Sequence, residues 1–389
     1  MRVSAHRRKN HYRHNASAIR ISSPLLLAAF LAIAFRLSLG HAEPADQGMP
    51  PLPLGLVASQ LQIPADNPMT PEKIELGRLL FFDKRLSQNN SIACATCHIP
   101  ALAFTDGQPV STGIQRKQGG RSAPTAINRA FSQVQFWDGR APTLEAQSVG
   151  PLTHPIEHGF VDNDAMVRKL KGIDGYQKRF KSVFGGEITT ETVGKAIATF
   201  QRTLLSGNSP FDRFEMKKDE KSIADSAQRD LKLFRGKARC ATCHAGFNVT
   251  DEGYHNLGVG WGHGETIDLG RFGVTKKTED IGAFKTPTLR EIAHTASDMH
   301  DGSLATLEDV VAFYNPGGNE NPFRTVLILP LNLKDQGQRD LVAFLRTLSG
   351  EGWQQSAPIV FRSEEFRRSS GRIRPRKDRI IKVEVQFTI

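Results

Sequence analysis

The sequence predicts a mainly α-helical chain built as two halves, and three observations carry that reading. An identical pentapeptide, CATCH, occurs at residues 94–98 and again at 240–244, and the two copies use all four cysteines of the 389 residues. Apolar residues recur at helical spacing in both halves, as at Val193, Ile197, Phe200 and Leu204. Strand signals are short and scattered, and the turn-forming run from Ser206 to Pro210 separates the halves.

C-x-x-C-H is the attachment signature of c-type haem. Two thiols three positions apart on one helical turn can add to the two haem vinyl groups, and the histidine that follows is placed to bind iron. A four-cysteine zinc site does not need a histidine after each pair. Structural disulfides would not repeat an identical pentapeptide. The expectation is two covalently bound haems c, one on Cys94, Cys97 and His98, the other on Cys240, Cys243 and His244.

In chain order, residues 43–72 are Pro-rich and polar and read as a leader arm. Pro71 to Asp83 starts as a helix, with proline near its first turn and Leu76, Leu79 and Leu80 on one side. Residues 104–129 read as ordered loop around the first haem. A short helix is expected over Thr143 to Ser148, ended near Gly150-Pro151, and a longer one over Thr190 to Leu205. Beyond the break, Ile223 to Phe234 leads into the second motif, residues 245–287 are Gly-rich and irregular, and Leu307 to Tyr314 and Gln338 to Leu348 are helical. The domains expected are 43–206 and 207–353, one haem in each.

The ends differ from the body. A basic stretch, the apolar run Leu25 to Phe35 and Gly40-His41-Ala42 give residues 1–42 the pattern of a secretory signal. An uncleaved membrane anchor is the alternative, although the run is shorter than the ~20 residues of a span. Haem c is attached after export, so the expected location is a bacterial periplasm. The formal net charge is +11; residues 1–42 hold seven basic and no acidic residues, and the tail 354–389 nine basic and four acidic. The body is thus near neutral, and nothing in it suggests nucleic-acid binding. The basic tail reads as a solvated extension, with contact to an acidic partner or membrane surface as the alternative.

Further stretches carry a resemblance. Leu102–Gly107 (LAFTDG), Ala123–Thr125 (APT), Gln135–Gln147 (QFWDGRAPTLEAQ) and Gly150-Pro151 through Glu157 lie in the first half. Ser209–Arg213 (SPFDR), Phe284–Arg290 (FKTPTLR) and His300–Gly302 (HDG) lie in the second. Over roughly residues 57–350 the chain resembles the bacterial di-haem cytochrome c peroxidase superfamily, and within it the MauG-like branch. The resemblance implies two cytochrome c-like haem domains, with the peroxidatic haem in the first.

It also implies roles. A glutamine and a glutamate, ten and twenty residues after an inter-haem tryptophan, match Gln147 and Glu157 after Trp137. Glu157 is then the acid/base, Gln147 orients peroxide or water, and Trp137 carries charge between the haems. Many relatives block the first iron with a histidine sixteen residues after the proximal one; that position is Ile114, which cannot bind iron. Unless His154 or His158 substitutes, the first iron has an open site. Conventional members ligate the second iron with a methionine fourteen residues after the histidine of HDG, where this chain has Tyr314, as in MauG; Met299 competes. A calcium ion between the domains would use Ser122, in place of the usual asparagine, and the carbonyls of Thr295 and Ser297. The surface tryptophan through which MauG oxidises its protein substrate is Ala238 here; the places of Trp261 and Trp353 are open.

The expected function is a peroxidase-family oxidoreductase that uses hydrogen peroxide to form high-valent haem and oxidise a protein or an electron donor. The alternatives are a conventional cytochrome c peroxidase fed by a soluble cytochrome or cupredoxin, a non-catalytic di-haem electron-transfer cytochrome, and a haem-based sensor.

Overall fold

In a computed structural model of the chain, residues 48–261 and 267–355 are described. The signal-like segment 1–42 and nearly all of the basic tail lie outside them. The first half contains helices α1 (Pro71–Phe82), α2 (Cys94–Cys97), α3 (Leu144–Thr153), α4 (Asn163–Lys171), α5 (Asp174–Phe184) and α6 (Thr190–Gln201). The second contains α7 (Pro210–Lys217), α8 (Asp225–Arg235), α9 (Phe272–Thr275), α10 (Leu307–Tyr314) and α11 (Asp335–Arg346). Two-residue strands β1 (Tyr254–His255) and β2 (Phe284–Lys285) pair antiparallel, Tyr254 opposite Lys285. The fold is mainly α.

Side-chain caps set the helix starts. Thr70 accepts from the Lys73 N–H with Pro71 in the first turn, Thr143 from Ala146, and Thr306 pairs reciprocally with Asp309. Helix α3 continues past the expected stop at Gly150-Pro151. Pro151 removes the bond to the Gln147 carbonyl, yet its own carbonyl accepts from the His154 N–H at 3.2 Å and closes the last turn. Helix α6 ends earlier than expected, at Gln201. Helices α4, α5, α7 and α9 add to those the apolar pattern predicts, and α9, β1 and β2 fall within 245–287, a stretch expected to be irregular.

Two cores result. Leu76, Leu80 and Phe81 of α1 meet Val193, Ile197 and Phe200 of α6, with Phe104, Leu152 and Leu204 around them. Leu231 and Phe234 of α8, Val311 of α10 and Leu341 and Phe344 of α11 form the other, with the Phe234 and Phe344 rings 4.8 Å apart. Trp353, late in the chain, packs into the first core. Glycines set the helix spacing that positions α3: a Cβ on Gly77 would lie 1.9 Å from the Ala196 carbonyl oxygen, and one on Gly194 2.9 Å from that of Glu145.

Buried ion pairs tie loops to these helices. Arg202 grips Glu145 at 2.7 and 3.1 Å, and Arg290 grips Asp212 at 2.8 and 2.9 Å. The described residues fall in one compact unit. No helix among them is long and apolar enough to cross a membrane.

Candidate active site

Each CATCH motif closes one tight turn. The His98 N–H donates to the Cys94 carbonyl at 2.9 Å and the His244 N–H to that of Cys240 at 2.9 Å, so each histidine follows directly on its cysteine pair. Nδ1 of His98 lies 2.9 Å from the Phe104 carbonyl, and Nδ1 of His244 lies 3.3 Å from that of Val249. Bonding to a carbonyl requires the proton on Nδ1, which leaves Nε2 a lone pair free to bind a metal. Burial pushes His244 down to about 4, keeping it neutral. Burial likewise pushes the thiols up, Cys94 and Cys240 to about 12 and Cys97 and Cys243 to about 11. They are neutral thiols, suited to addition across a vinyl group. Among the described residues the only cluster of three metal-ligating side chains is Cys243, Asp251 and His255, so the two cysteine pairs do not converge on a zinc-type site.

One cavity of about 730 Å³ joins the two motifs. Cys97, His98, Cys240, Cys243 and His244 line it, and so do Trp137, Gln147, Glu157, Met299 and Tyr314. The donor set, two histidine lone pairs each beside a cysteine pair, fits two covalently attached haems.

At the first motif, α3 carries Gln147, whose side-chain oxygen accepts from Gln201 Nε2 of α6 at 3.2 Å. Gln201 also donates to Ser148 at 3.0 Å, so the Gln147 head is fixed by its neighbour. Glu157 follows α3 in a turn closed by its N–H on the His154 carbonyl at 3.1 Å. Its carboxylate lies 3.5 Å from His154 Nδ1, and both side chains are nearly half exposed to the cavity mouth. The 113–114 loop clamps this turn: the Ile114 N–H donates to the carbonyls of Ile156 and Glu157 at 2.8 and 3.1 Å. Ile114 itself is buried against Gly159 and does not line the cavity. His158 is also buried away from it, with Nδ1 2.5 Å from the Leu86 carbonyl and its pKa pushed down to about 4 by burial. Of the histidines raised as substitutes for an iron ligand, only His154 lines the cavity.

Trp137 bridges the halves. Its indole N–H donates to the Ser122 carbonyl at 2.9 Å, and its own carbonyl accepts from the Lys285 N–H of β2 at 2.7 Å. At the second motif, Tyr314 ends α10; burial, and then the Cys240 and Cys243 thiols, push its hydroxyl pKa up. Met299 lines the same cavity with a left-handed backbone, φ 71°. Ser122, Thr295 and Ser297 come together on the wall, Ser122 Oγ donating to the Ser297 carbonyl at 3.4 Å. Ala238 is buried on the same wall. Trp261 packs near Phe323, and Trp353 is buried beside His294.

Several side-chain arrangements on the wall had no sequence signal. Arg121 holds Asp138 at 2.7 Å and Asp268 at 2.6 Å, and lies over the Phe284 ring that stacks on His300. Lys285 reaches Glu252 at 3.2 Å, and burial lowers its pKa to about 8. Asp298 is buried with its Oδ2 unpartnered, and burial alone raises its pKa to about 7. Lys285 falls in the FKTPTLR stretch, which gives no sign of its pairing, and Arg121 and Asp298 belong to no pattern recognisable along the chain.

The comparisons with known proteins agree with this geometry. Residues 71–221 match the family model of the di-haem cytochrome c peroxidases. The methylamine utilization protein MauG of Methylorubrum extorquens is 43% identical over 290 residues, covering 74% of this chain and 81% of that one. This chain belongs to the di-haem cytochrome c peroxidase family. A cytochrome-c peroxidase, IdrP1, of Denitromonas iodatirespirans is 38% identical over 351 residues, covering 82% of this chain and 92% of that protein. The crystal structure of a MauG-like protein associated with microbial copper homeostasis aligns with a TM-score of 0.70 and 33% identity, over 76% of this chain and 94% of that one. The chain is accordingly an enzyme, an oxidoreductase with two haem groups that uses hydrogen peroxide and a donor or protein substrate. Family membership displaces the non-catalytic cytochrome alternative.

Proposed function

We propose that this protein is a periplasmic di-haem peroxidase of the MauG-like kind, with its first haem domain over 43–206 and its second over 207–353. The observation that carries the reading is that Trp137, Gln147, Glu157 and Tyr314 meet both cysteine–histidine motifs on one cavity. Haem c would be held by Cys94, Cys97 and His98 in the first half and by Cys240, Cys243 and His244 in the second, with Tyr314 rather than Met299 as the further ligand of the second iron. When bound, the haems supply the redox centres for peroxide reduction.

The chain's own residues then do the following. Glu157 takes the proton from one peroxide oxygen at its carboxylate and returns it to the other, so that water can leave. Gln147, held by Gln201, offers its amide N–H to orient the peroxide. Trp137, anchored to Ser122 on one side and β2 on the other, gives a fixed aromatic between the two centres. A tyrosinate at Tyr314 is an anionic ligand that lowers the potential of the second centre, where methionine raises it. This suits storage of an oxidising equivalent. Arg121, Arg129, Arg140 and Lys285 are the cations on the cavity wall available to the haem carboxylates. A calcium ion at Ser122, Thr295 and Ser297 completes the reading. Oxidation of a partner would not run through the Ala238 position, which lacks a redox-active side chain and is buried.

Steady-state turnover separates this reading from a conventional cytochrome c peroxidase. The holoprotein is mixed with hydrogen peroxide and reduced small cytochromes or cupredoxins. Slow turnover with these soluble donors is expected. Fast, saturable oxidation of one of them would place the protein with the conventional enzymes.

A further inference from the structure

The wall of the cavity holds a carboxylate that no cation among the described residues neutralises. Asp298 is 9% exposed, faces the cavity, and its Oδ2 is buried without a hydrogen-bond partner. Carboxylates elsewhere in the fold have cations: Asp138 has Arg121 and Arg140, Glu145 has Arg202, Asp212 has Arg290 and Glu252 has Lys285. Asp230 is also buried without a partner, but it does not line the cavity. Asp298 has neither an ion pair nor a side-chain hydrogen bond among the described residues.

Its backbone is fixed all the same. The Asp298 N–H donates to the Leu304 carbonyl at 2.7 Å, and the Leu304 N–H returns to the Asp298 carbonyl at 3.4 Å. The residue before it is Ser297, whose carbonyl receives Ser122 Oγ at a long 3.4 Å. A carboxylate and the carbonyl of the preceding residue are joined by so few bonds that their oxygens can lie within ~5 Å. Two oxygens sharing a calcium ion, each at ~2.3–2.6 Å, need that separation or less. The donors these four cavity-lining residues offer are all oxygen, three of them neutral and one anionic, a set that suits a hard cation and not zinc or copper.

We propose that Asp298 is the charged ligand of a calcium-class cation held with Ser122 Oγ and the carbonyls of Thr295 and Ser297. The inference rests on the calcium reading above and adds to it the residue that supplies the charge. Asp298 stands in no recognised motif, and the neutral side chain at Ser122 leaves the other donors without any anionic group.

Calorimetric titration of the chelator-treated holoprotein with calcium chloride tests it, comparing the native chain with Asp298→Asn. One ion is expected to bind the native protein, and the substitution is expected to weaken binding at least tenfold. The calcium-free variant should also melt above the calcium-free native protein, since an unpaired buried charge has been removed. Native-like calcium affinity in the variant would overturn the role of Asp298 while leaving the calcium reading intact. A native protein that binds no calcium would overturn both. If the variant does not fold, the infrared difference spectrum of native protein labelled with 13C-aspartate decides. An aspartate carboxylate band that shifts on calcium addition supports the proposal, and an unchanged band refutes it.

Discussion

Replacing Glu157 by glutamine separates chemistry from folding. The side chain sits at the cavity mouth, 42% exposed, and its neighbour His154 is 47% exposed. Pairs this wet contribute little to stability, and a change on such a surface costs within ~0.5 kcal/mol. The turn that holds the residue is made by backbone bonds from Glu157 and Ile114, which the substitution leaves intact. General acid–base catalysis by one side chain is worth roughly 10²–10⁴ in rate, or about 2.7–5.5 kcal/mol of barrier. Glutamine keeps the size and cannot carry the proton. Glu157→Gln should therefore lose peroxide-consumption rate by at least a hundredfold in stopped-flow measurements on the holoprotein, with its melting temperature and haem spectrum unchanged. His154→Gln, which removes only the neighbour, should fall by less than tenfold. A Glu157→Gln protein within threefold of the native rate would refute the assignment of Glu157 as the proton carrier.

Other consequences concern the frame around the site. Gly77→Ala places a methyl 1.9 Å from the Ala196 carbonyl oxygen at the α1–α6 crossing, and should destabilise by ~1–3 kcal/mol despite alanine's better helix propensity, measured by chemical denaturation. Arg290→Ala strands the buried Asp212 carboxylate and should cost ~3–5 kcal/mol, whereas replacing both partners by apolar residues of similar volume should recover most of the loss. Asp230 is 1% exposed with both carboxylate oxygens unpartnered, and burial raises its pKa to about 6. A carboxyl raised above its unfolded value favours folding below that value and loses the benefit as pH rises through the folded one. Asp230→Asn should thus add ~1–3 kcal/mol at pH 7 and almost nothing below pH 4, seen as a pH-dependent gain in melting temperature.

Much of this site is legible along the chain because its chemistry is local. A haem needs two thiols and a histidine on one turn, so CATCH announces itself, and α10 was expected at Leu307 to Tyr314, the bounds it has. Fixed spacings from Trp137 reach Gln147 and Glu157, and the cavity receives all three. Helices α4 and α5 escape the apolar pattern because Gly172 and Gly175 lie around their junction and charged residues crowd their exposed faces. Helix α3 runs through Pro151 because losing one backbone bond did not stop a turn that His154 could close. The cavity wall is a different matter. Arg121 meets Asp268, 147 positions away, and Asp298 is distinguished by being buried, unpartnered and on the cavity wall at once. Neither arrangement has a trace in local sequence.

The central claim, a first centre open to peroxide and electronically joined to a second, is tested most directly by adding one equivalent of hydrogen peroxide to the fully ferric holoprotein without prior reduction, following both haem absorption bands by rapid scanning. The structure keeps Ile114 and His158 off the cavity and sets Trp137 on the wall that both motifs line, so a prompt and lasting change in both bands is predicted. A protein that stays silent until one haem has been reduced would contradict the account.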